Sequence, residues 1–154
     1  MNLFKSILHN IGVVTVGLGL ALASTKVDQR LAIRRRPSPA TAPLGGLLVI
    51  SGFLVRVWAT LSFYQHRMKV ISLAPQNTLI TSGPYAFSRN PLYLGGNVFI
   101  FFGAALLLRS PTALFLTTLH LPFVDLFIRR EEQQLQEKFD GKWLNYRNRV
   151  RRWI

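Results

Sequence analysis

The sequence predicts an all-α protein: an integral membrane helical bundle of about four transmembrane helices, with a helical hairpin formed by the third and fourth and a C-terminal amphipathic cytoplasmic segment. Three observations lead there. Hydrophobic residues make up 49% of the 154-residue chain while its formal net charge is +13, a combination rare in a soluble domain of this size. Lys and Arg crowd at 26–36 and 129–152, whereas the long apolar runs hold almost none. Basic residues placed in this way flank a membrane rather than face a nucleic acid. Finally, the C-terminal region carries a one-sided apolar stripe. The length allows a single domain, 1–154, and the absence of Cys excludes disulfides and Cys metal sites; no metal and no nucleic-acid partner are expected.

Ile7 to Ser24 is an apolar run broken only by His9, Asn10 and Thr15, close to the length that crosses a bilayer. Ala21-Leu22-Ala23 also has the small-residue spacing of a signal-peptidase site. Retention as a first span is the expectation, because the later spans need a helix to cover their apolar faces. Lys26 to Ala42, with Arg34-Arg35-Arg36 and Pro37, Pro39 and then Pro43, reads as an exposed basic connector. Leu44 to Tyr64 is the second span, with Trp58 and Tyr64 as interfacial anchors. Arg56 stands near its middle, where a cation is costly in hydrocarbon. Two readings stand: it meets a partner in the bundle, such as Asp125 or an anionic substrate group, or the span tilts and carries it to an interface. Gln65 to Asn77 is mixed and lies along the surface; His66 is a lone histidine.

Thr78 to Gly95 reads Thr-Leu-Ile-Thr-Ser-Gly-Pro-Tyr-Ala-Phe-Ser-Arg-Asn-Pro-Leu-Tyr-Leu-Gly. Gly83-Pro84 and Asn90-Pro91 prevent a continuous helix, since each proline lacks an N–H and drives the preceding residue toward extended geometry. Tyr85, Phe87 and Tyr93 alternate with Ser82, Ser88, Arg89 and Asn90, an inventory that suits a charged, flat, polar-headed ligand. The simpler reading is a loop that starts a helix at Pro91, a favoured first helical position. Leu92–Leu108 and Pro111–Ile128 are the third and fourth apolar runs, separated only by Arg109 and Ser110. So short a gap forces an antiparallel hairpin and brings Glu131-Glu132 to the level of Arg89, Asn90 and Tyr93. The acidic pair then forms a cation-binding wall beside the aromatic loop.

Leu135, Phe139, Trp143, Tyr146, Val150 and Trp153 repeat at helical spacing, and Asp140-Gly141 divides the tail into two helices. The basic residues around the stripe suit an anionic membrane surface. In a four-span arrangement, twelve basic residues lie at the end that holds the termini and the loop: Lys5, Arg67, Lys69, Arg89, Arg129, Arg130, Lys138, Lys142, Arg147, Arg149, Arg151 and Arg152. Six lie opposite. The site and the C-terminus are therefore expected on the cytoplasmic side.

From Thr78 to Val150, the motifs Thr-Ser-Gly-Pro-Tyr, Arg-Asn-Pro-Leu-Tyr-Leu-Gly, Glu131-Glu132, Phe139 and the Tyr146-centred tail resemble, in order and spacing, the isoprenylcysteine carboxyl methyltransferase and phospholipid methyltransferase family of integral membrane methyltransferases. The resemblance implies S-adenosylmethionine as methyl donor and a lipophilic acceptor. It implies cofactor contacts at Asn77, Thr78, Leu79, Ile80, Tyr85, Asn90, Pro91, Leu92, Tyr93 and Glu131, to which the acidic wall adds Glu132. Two positions depart from the family pattern. Asn90 stands where relatives carry a His, so it cannot act as a general base, and Phe127 stands four residues before Glu131 where isoprenylcysteine enzymes carry an Arg facing the substrate carboxylate. Arg129 or Arg130 would have to replace that Arg, which disfavours prenylcysteine as the acceptor. Membrane sterol reductases share a similar step and bind a nicotinamide dinucleotide, but carry Glu where this chain has Gly96. A non-catalytic relative that binds a cofactor or partner is the third reading, supported by Asn90.

Overall fold

A computed structural model describes residues 2–33, 38, 40–70 and 77–154. Arg34 to Pro37 and Pro39 of the basic connector, and 71–76 of the mixed segment after the second span, lie outside the described residues. Among those described, every regular element is helical. α1 is Asn2–Arg30, α2 is Thr41–Gln65, a short 3₁₀ turn occupies Gly83–Ala86, and α4 is Pro111–Arg149. Between the turn and α4 lies α3, a composite apolar helix over Pro91–Leu107. It is built from an α turn at Pro91–Tyr93, a π-helix at Leu94–Ile100 and an α-helix at Phe101–Leu107.

α1, α2 and α4 are long and apolar enough to cross a membrane, and α3 is a shorter apolar helix. The fold class is the one the four apolar runs predict. α1 is longer than the run Ile7–Ser24, because its polar ends keep helical geometry where they meet neighbours. Asn2 Nδ2 donates to the Tyr64 carbonyl at 3.4 Å, joining the start of α1 to the end of α2. At the opposite end the Asp28 carboxylate accepts from Ser110 Oγ at 2.6 Å and from the Thr112 backbone N–H at 3.0 Å. Ser110 itself caps α4, accepting from Ala113 N. Arg109 closes the hairpin in the left-handed region at φ 52°. Asp28→Ala leaves a buried hydroxyl and a helix-terminal N–H without this acceptor, so about 1–3 kcal/mol of stability should be lost. The expected result is a lower thermal melting midpoint in detergent, and an unchanged midpoint would count against this cap.

α2 is the central helix, packed on both α1 and α3. It approaches α3 through glycines. A Cβ on Gly52 would meet the Gly95 carbonyl oxygen at 2.5 Å, and one on Gly103 would meet the Gly45 carbonyl oxygen at 2.8 Å. Small residues bring membrane helices to backbone contact in this way.

Two expectations are corrected by the packing. Arg56 does not reach Asp125. Its Nε donates to Asn10 Oδ1 at 2.8 Å and its Nη1 to the Leu92 carbonyl at 2.6 Å, while Asp125 pairs with Arg129 at 2.7 Å and Arg152 at 3.2 Å. The reason lies in which neighbours each meets: Arg56 faces α1 and the start of α3, whereas Asp125 is taken up by Arg129 on its own helix and by Arg152 of the tail. The tail stripe does not lie free for a membrane surface either. Asp140, with φ 40° and ψ −116°, kinks α4 as the Asp-Gly step predicts. The kink folds Trp143, Tyr146 and Val150 back onto Ala59, Ile80 and Tyr85, with Leu135 and Phe139 beside them. The protein itself covers that apolar side.

Candidate functional site

The loop that leads into α3 is built on Gly83, whose φ of 61° is left-handed and open to glycine. Pro84 opens the 3₁₀ turn and Tyr85 is buried within it. The Tyr146 hydroxyl donates to the Tyr85 carbonyl at 2.7 Å, fastening the turn to the folded-back tail. Burial pushes the Tyr85 phenol well above its usual range, so Tyr85 is neutral. Above this floor lies a cavity of about 530 Å³, bounded by α1, α2, the loop, the start of α3 and the middle of α4. That volume lies within the range of small-molecule sites.

Its wall is mainly apolar and aromatic, with a few polar groups of opposite character. Beyond Ile128 α4 leaves its apolar stretch. There Glu131 is half-buried and accepts a hydrogen bond from the Tyr93 hydroxyl at 3.0 Å. Burial raises its carboxyl above the usual range, outweighing the opposing effect of that hydrogen bond. Glu131 has no ion pair among the described residues. Its neighbour Glu132 differs. Burial alone would raise Glu132 too, but hydrogen bonds from Arg152 and the charges of Arg89 and Arg152 outweigh it and hold this carboxyl below the usual range. The pairs measure 2.9 Å to Arg89 and 2.8 Å to Arg152. The cavity wall formed by the candidate span α2 carries Arg56, whose hydrogen-bond acceptors are both uncharged. Gly95 and Gly96 leave the room its side chain takes: a Cβ at Gly96 would meet Arg56 Nη1 at 2.8 Å. The π-helix that starts at Leu94 is a distortion frequent at functional sites.

Of the residues singled out in the sequence, Thr78, Leu79, Ile80, Tyr85, Asn90, Leu92, Tyr93, Glu131, Arg56 and Arg130 line this cavity. Four others do not. Asn77 is exposed and accepts from Lys138 Nζ at 3.2 Å. Pro91 is buried as the first residue of α3. Glu132 faces a separate polar groove. Arg129 lies on the surface, paired with Asp125. The acidic pair is thus divided, with Glu131 toward the cavity and Glu132 toward the ion-pair network, because adjacent residues on a helix point about 100° apart.

Other residues of the wall were not predicted as cofactor or substrate contacts: His9 and Val13 of α1, Phe63, Met68, Lys69, Val70, Arg89, Asn97, Phe127, Gln134, Leu135, Trp143 and Tyr146. Two signals pointed to some of them. His9 interrupts an apolar run, and the stripe through Leu135, Trp143 and Tyr146 needed a cover. Phe127, which packs near Tyr93 with ring centroids 6.3 Å apart, makes that stretch of wall apolar.

The family model of phospholipid methyltransferases matches residues 40–142. The chain is also 36% identical over 116 residues to the protein-S-isoprenylcysteine O-methyltransferase of Saccharomyces cerevisiae, an alignment that takes in 70% of this chain and 46% of that protein. The chain thus spans about half the length of the curated relative it matches. No solved structure matches it. The residues matched by the family model run from α2 through the loop and hairpin to the kink of α4, and so include Arg56, Asn90, Tyr93 and Glu131; the chain belongs to the phospholipid methyltransferase family.

Proposed function

We propose that this protein binds S-adenosylmethionine in the cavity and catalyses transfer of its methyl group to a lipophilic acceptor reached from the bilayer. The observation that carries this reading is Glu131, an acidic side chain without an ion pair among the described residues, standing at the wall of a largely apolar cavity. A carboxylate there fits a ligand that brings its own positive charge. The remaining wall fits the other parts of such a donor. Leu79, Ile80, Leu92 and Leu135 offer apolar faces for a flat base, while Thr78, Asn90 and Gln134 offer hydroxyl and amide groups for a sugar or amino acid.

The donor, when bound, supplies an electrophilic methyl group on a sulfonium. Charge is lost as that group transfers, so the protein's task is alignment rather than acid or base assistance. Tyr93 holds the Glu131 carboxylate in place through its hydroxyl. Tyr85, Phe127 and the leucines exclude water. Arg56, on the wall formed by the candidate span α2, is suited to an anionic group on the acceptor, and Arg130 is one of the further cations on the wall, beside Lys69 and Arg89. Such acceptors include an isoprenylcysteine-like carboxylate; a phospholipid amine or another small lipophilic molecule fits the same membrane-level approach. The phenyl ring of Phe127, where a carboxylate-facing Arg would support prenylcysteine, disfavours that substrate. The excess of basic residues at this end of the bundle supports a cytoplasmic site and C-terminus.

Calorimetric titration of the detergent-solubilised protein with S-adenosylhomocysteine and, separately, with NADPH tests the reading. Micromolar binding of the first and none of the second is expected. Binding of NADPH alone would favour the reductase reading, and binding of neither a non-catalytic relative.

A further inference from the structure

The last turn of α4 ends at Arg149, and Val150 leaves it in extended geometry at φ −120° and ψ 130°. The three residues Val150–Arg152 then run along the loop that enters α3, where Ser88, Arg89 and Asn90 hold their carbonyls. The Arg89 N–H donates to the Arg151 carbonyl at 3.0 Å. Ser88 Oγ and Asn90 Nδ2 both donate to the Arg152 carbonyl at 3.2 Å. Arg89 Nη1 donates to the Val150 carbonyl at 3.1 Å and to the Arg147 carbonyl at 3.0 Å. The Arg152 side chain reaches the other way, donating to Glu132 at 2.8 Å and to Asp125 at 3.2 Å. This segment lies beyond the matched residues 40–142.

The connectivity explains why such a link matters. Asn90 and Tyr93 come from the loop and α3, Glu131 from α4, and their relative placement sets the width of the cavity at its polar end. Val150–Arg152 binds the loop through its backbone and α4 through the Arg152 side chain. We propose that these residues form a strap that fixes the loop against the Glu131–Glu132 turn, and that Arg152 is a positioning residue for donor binding, in a site whose donor reading is the one proposed above. Arg152 itself does not line the cavity. It acts by neutralising Glu132 together with Arg89. Removing one member of a partly buried ion cluster leaves the remaining charges uncompensated, and the loop then loses its fixed distance from α4.

The absence of Cys from the chain permits a direct test. Exposed Ala86 and Gln136 are replaced by Cys and spin-labelled, and the distance distribution between the loop and α4 is measured in detergent. S-adenosylhomocysteine affinity is measured alongside by calorimetry. Arg152→Ala is expected to broaden the distribution and weaken binding about tenfold, a change of 1.4 kcal/mol at room temperature, with helical content unchanged. Arg152→Lys, which keeps the charge without the fork, should restore the narrow distribution and bring affinity to within about threefold of the parent. An unchanged distribution in Arg152→Ala overturns the proposal, as does a broadened one with unaltered affinity. Should Arg152→Ala fail to fold, Arg152→Gln takes its place, since it removes the charge but keeps a long polar side chain: a broadened distribution with weakened binding supports the strap, and an unchanged distribution or affinity overturns it. A parent that binds no S-adenosylhomocysteine refutes the donor reading instead, and the strap then stands or falls on the distance change alone.

Discussion

Glu131→Gln should weaken S-adenosylhomocysteine and S-adenosylmethionine binding unequally, with the sulfonium ligand losing about ten- to a hundredfold. The range corresponds to the loss of a charge-assisted interaction of about 1.5–3 kcal/mol. The substitution keeps the shape and still accepts from Tyr93, so the charge alone is removed. Glu137→Gln, a surface position further along α4 whose carboxylate accepts from Gln133, should leave binding unchanged; equal losses at both positions would mean that Glu131 acts merely as surface charge. A pH dependence follows with a defined sign. Burial raises the Glu131 carboxyl above its ordinary value, and the ligand needs it ionised. Affinity should therefore fall as the pH drops through that raised value, earlier on acidification than for an ordinary glutamate. The Gln variant has no proton to gain there and should lack this step, so a parent and variant with parallel pH profiles would remove Glu131 from the binding account.

Gly52→Leu should prevent α2 and α3 from packing and with it abolish the site. A side chain at Gly52 meets the Gly95 carbonyl oxygen, Phe99 Cβ and Ile100 Cγ1 within 2.9 Å. A backbone carbonyl cannot rotate away as the end of a flexible side chain can, so the helices must separate. Overpacking of this kind costs about 1–3 kcal/mol or more. Separation also pulls Arg56 from the Leu92 carbonyl. The expected result is a much lower melting midpoint and no measurable donor binding. Gly46→Leu is the control on the same helix, because a Cβ there meets nothing within 4 Å; it should melt close to the parent. Similar melting of the two variants would show that the glycine contact does not set the spacing of α2 and α3.

Asn90 illustrates how far residue chemistry carries. The sequence identifies it as a polar group in a proline-bounded loop beside an acidic pair, and the structure places it on the cavity wall. What its amide also does, donating to the Arg152 carbonyl, depends on a partner 62 residues away at the end of the chain. No spacing rule links the two. Arg56 is similar. Its position in an apolar span marks it as costly unless partnered, but the choice of Asn10 and the Leu92 carbonyl over Asp125 required knowing which face of α2 meets which helix.

The sequence by itself determined the helical membrane class, the tight hairpin, the approach of Glu131-Glu132 to the loop and the break at Asp140. Each follows from local rules: hydropathy over a bilayer's thickness, a two-residue gap, helical rise, and a turn-forming step. Only the tertiary structure decided that Glu131 turns to the cavity while Glu132 joins the ion pairs, that α1 contributes His9 to the wall, and that the tail stripe packs on the protein. These depend on the rotation of each helix about its axis. That rotation is set by backbone contact at the α2–α3 glycines and by the fold-back of α4 at its kink, neither of which a one-dimensional pattern encodes.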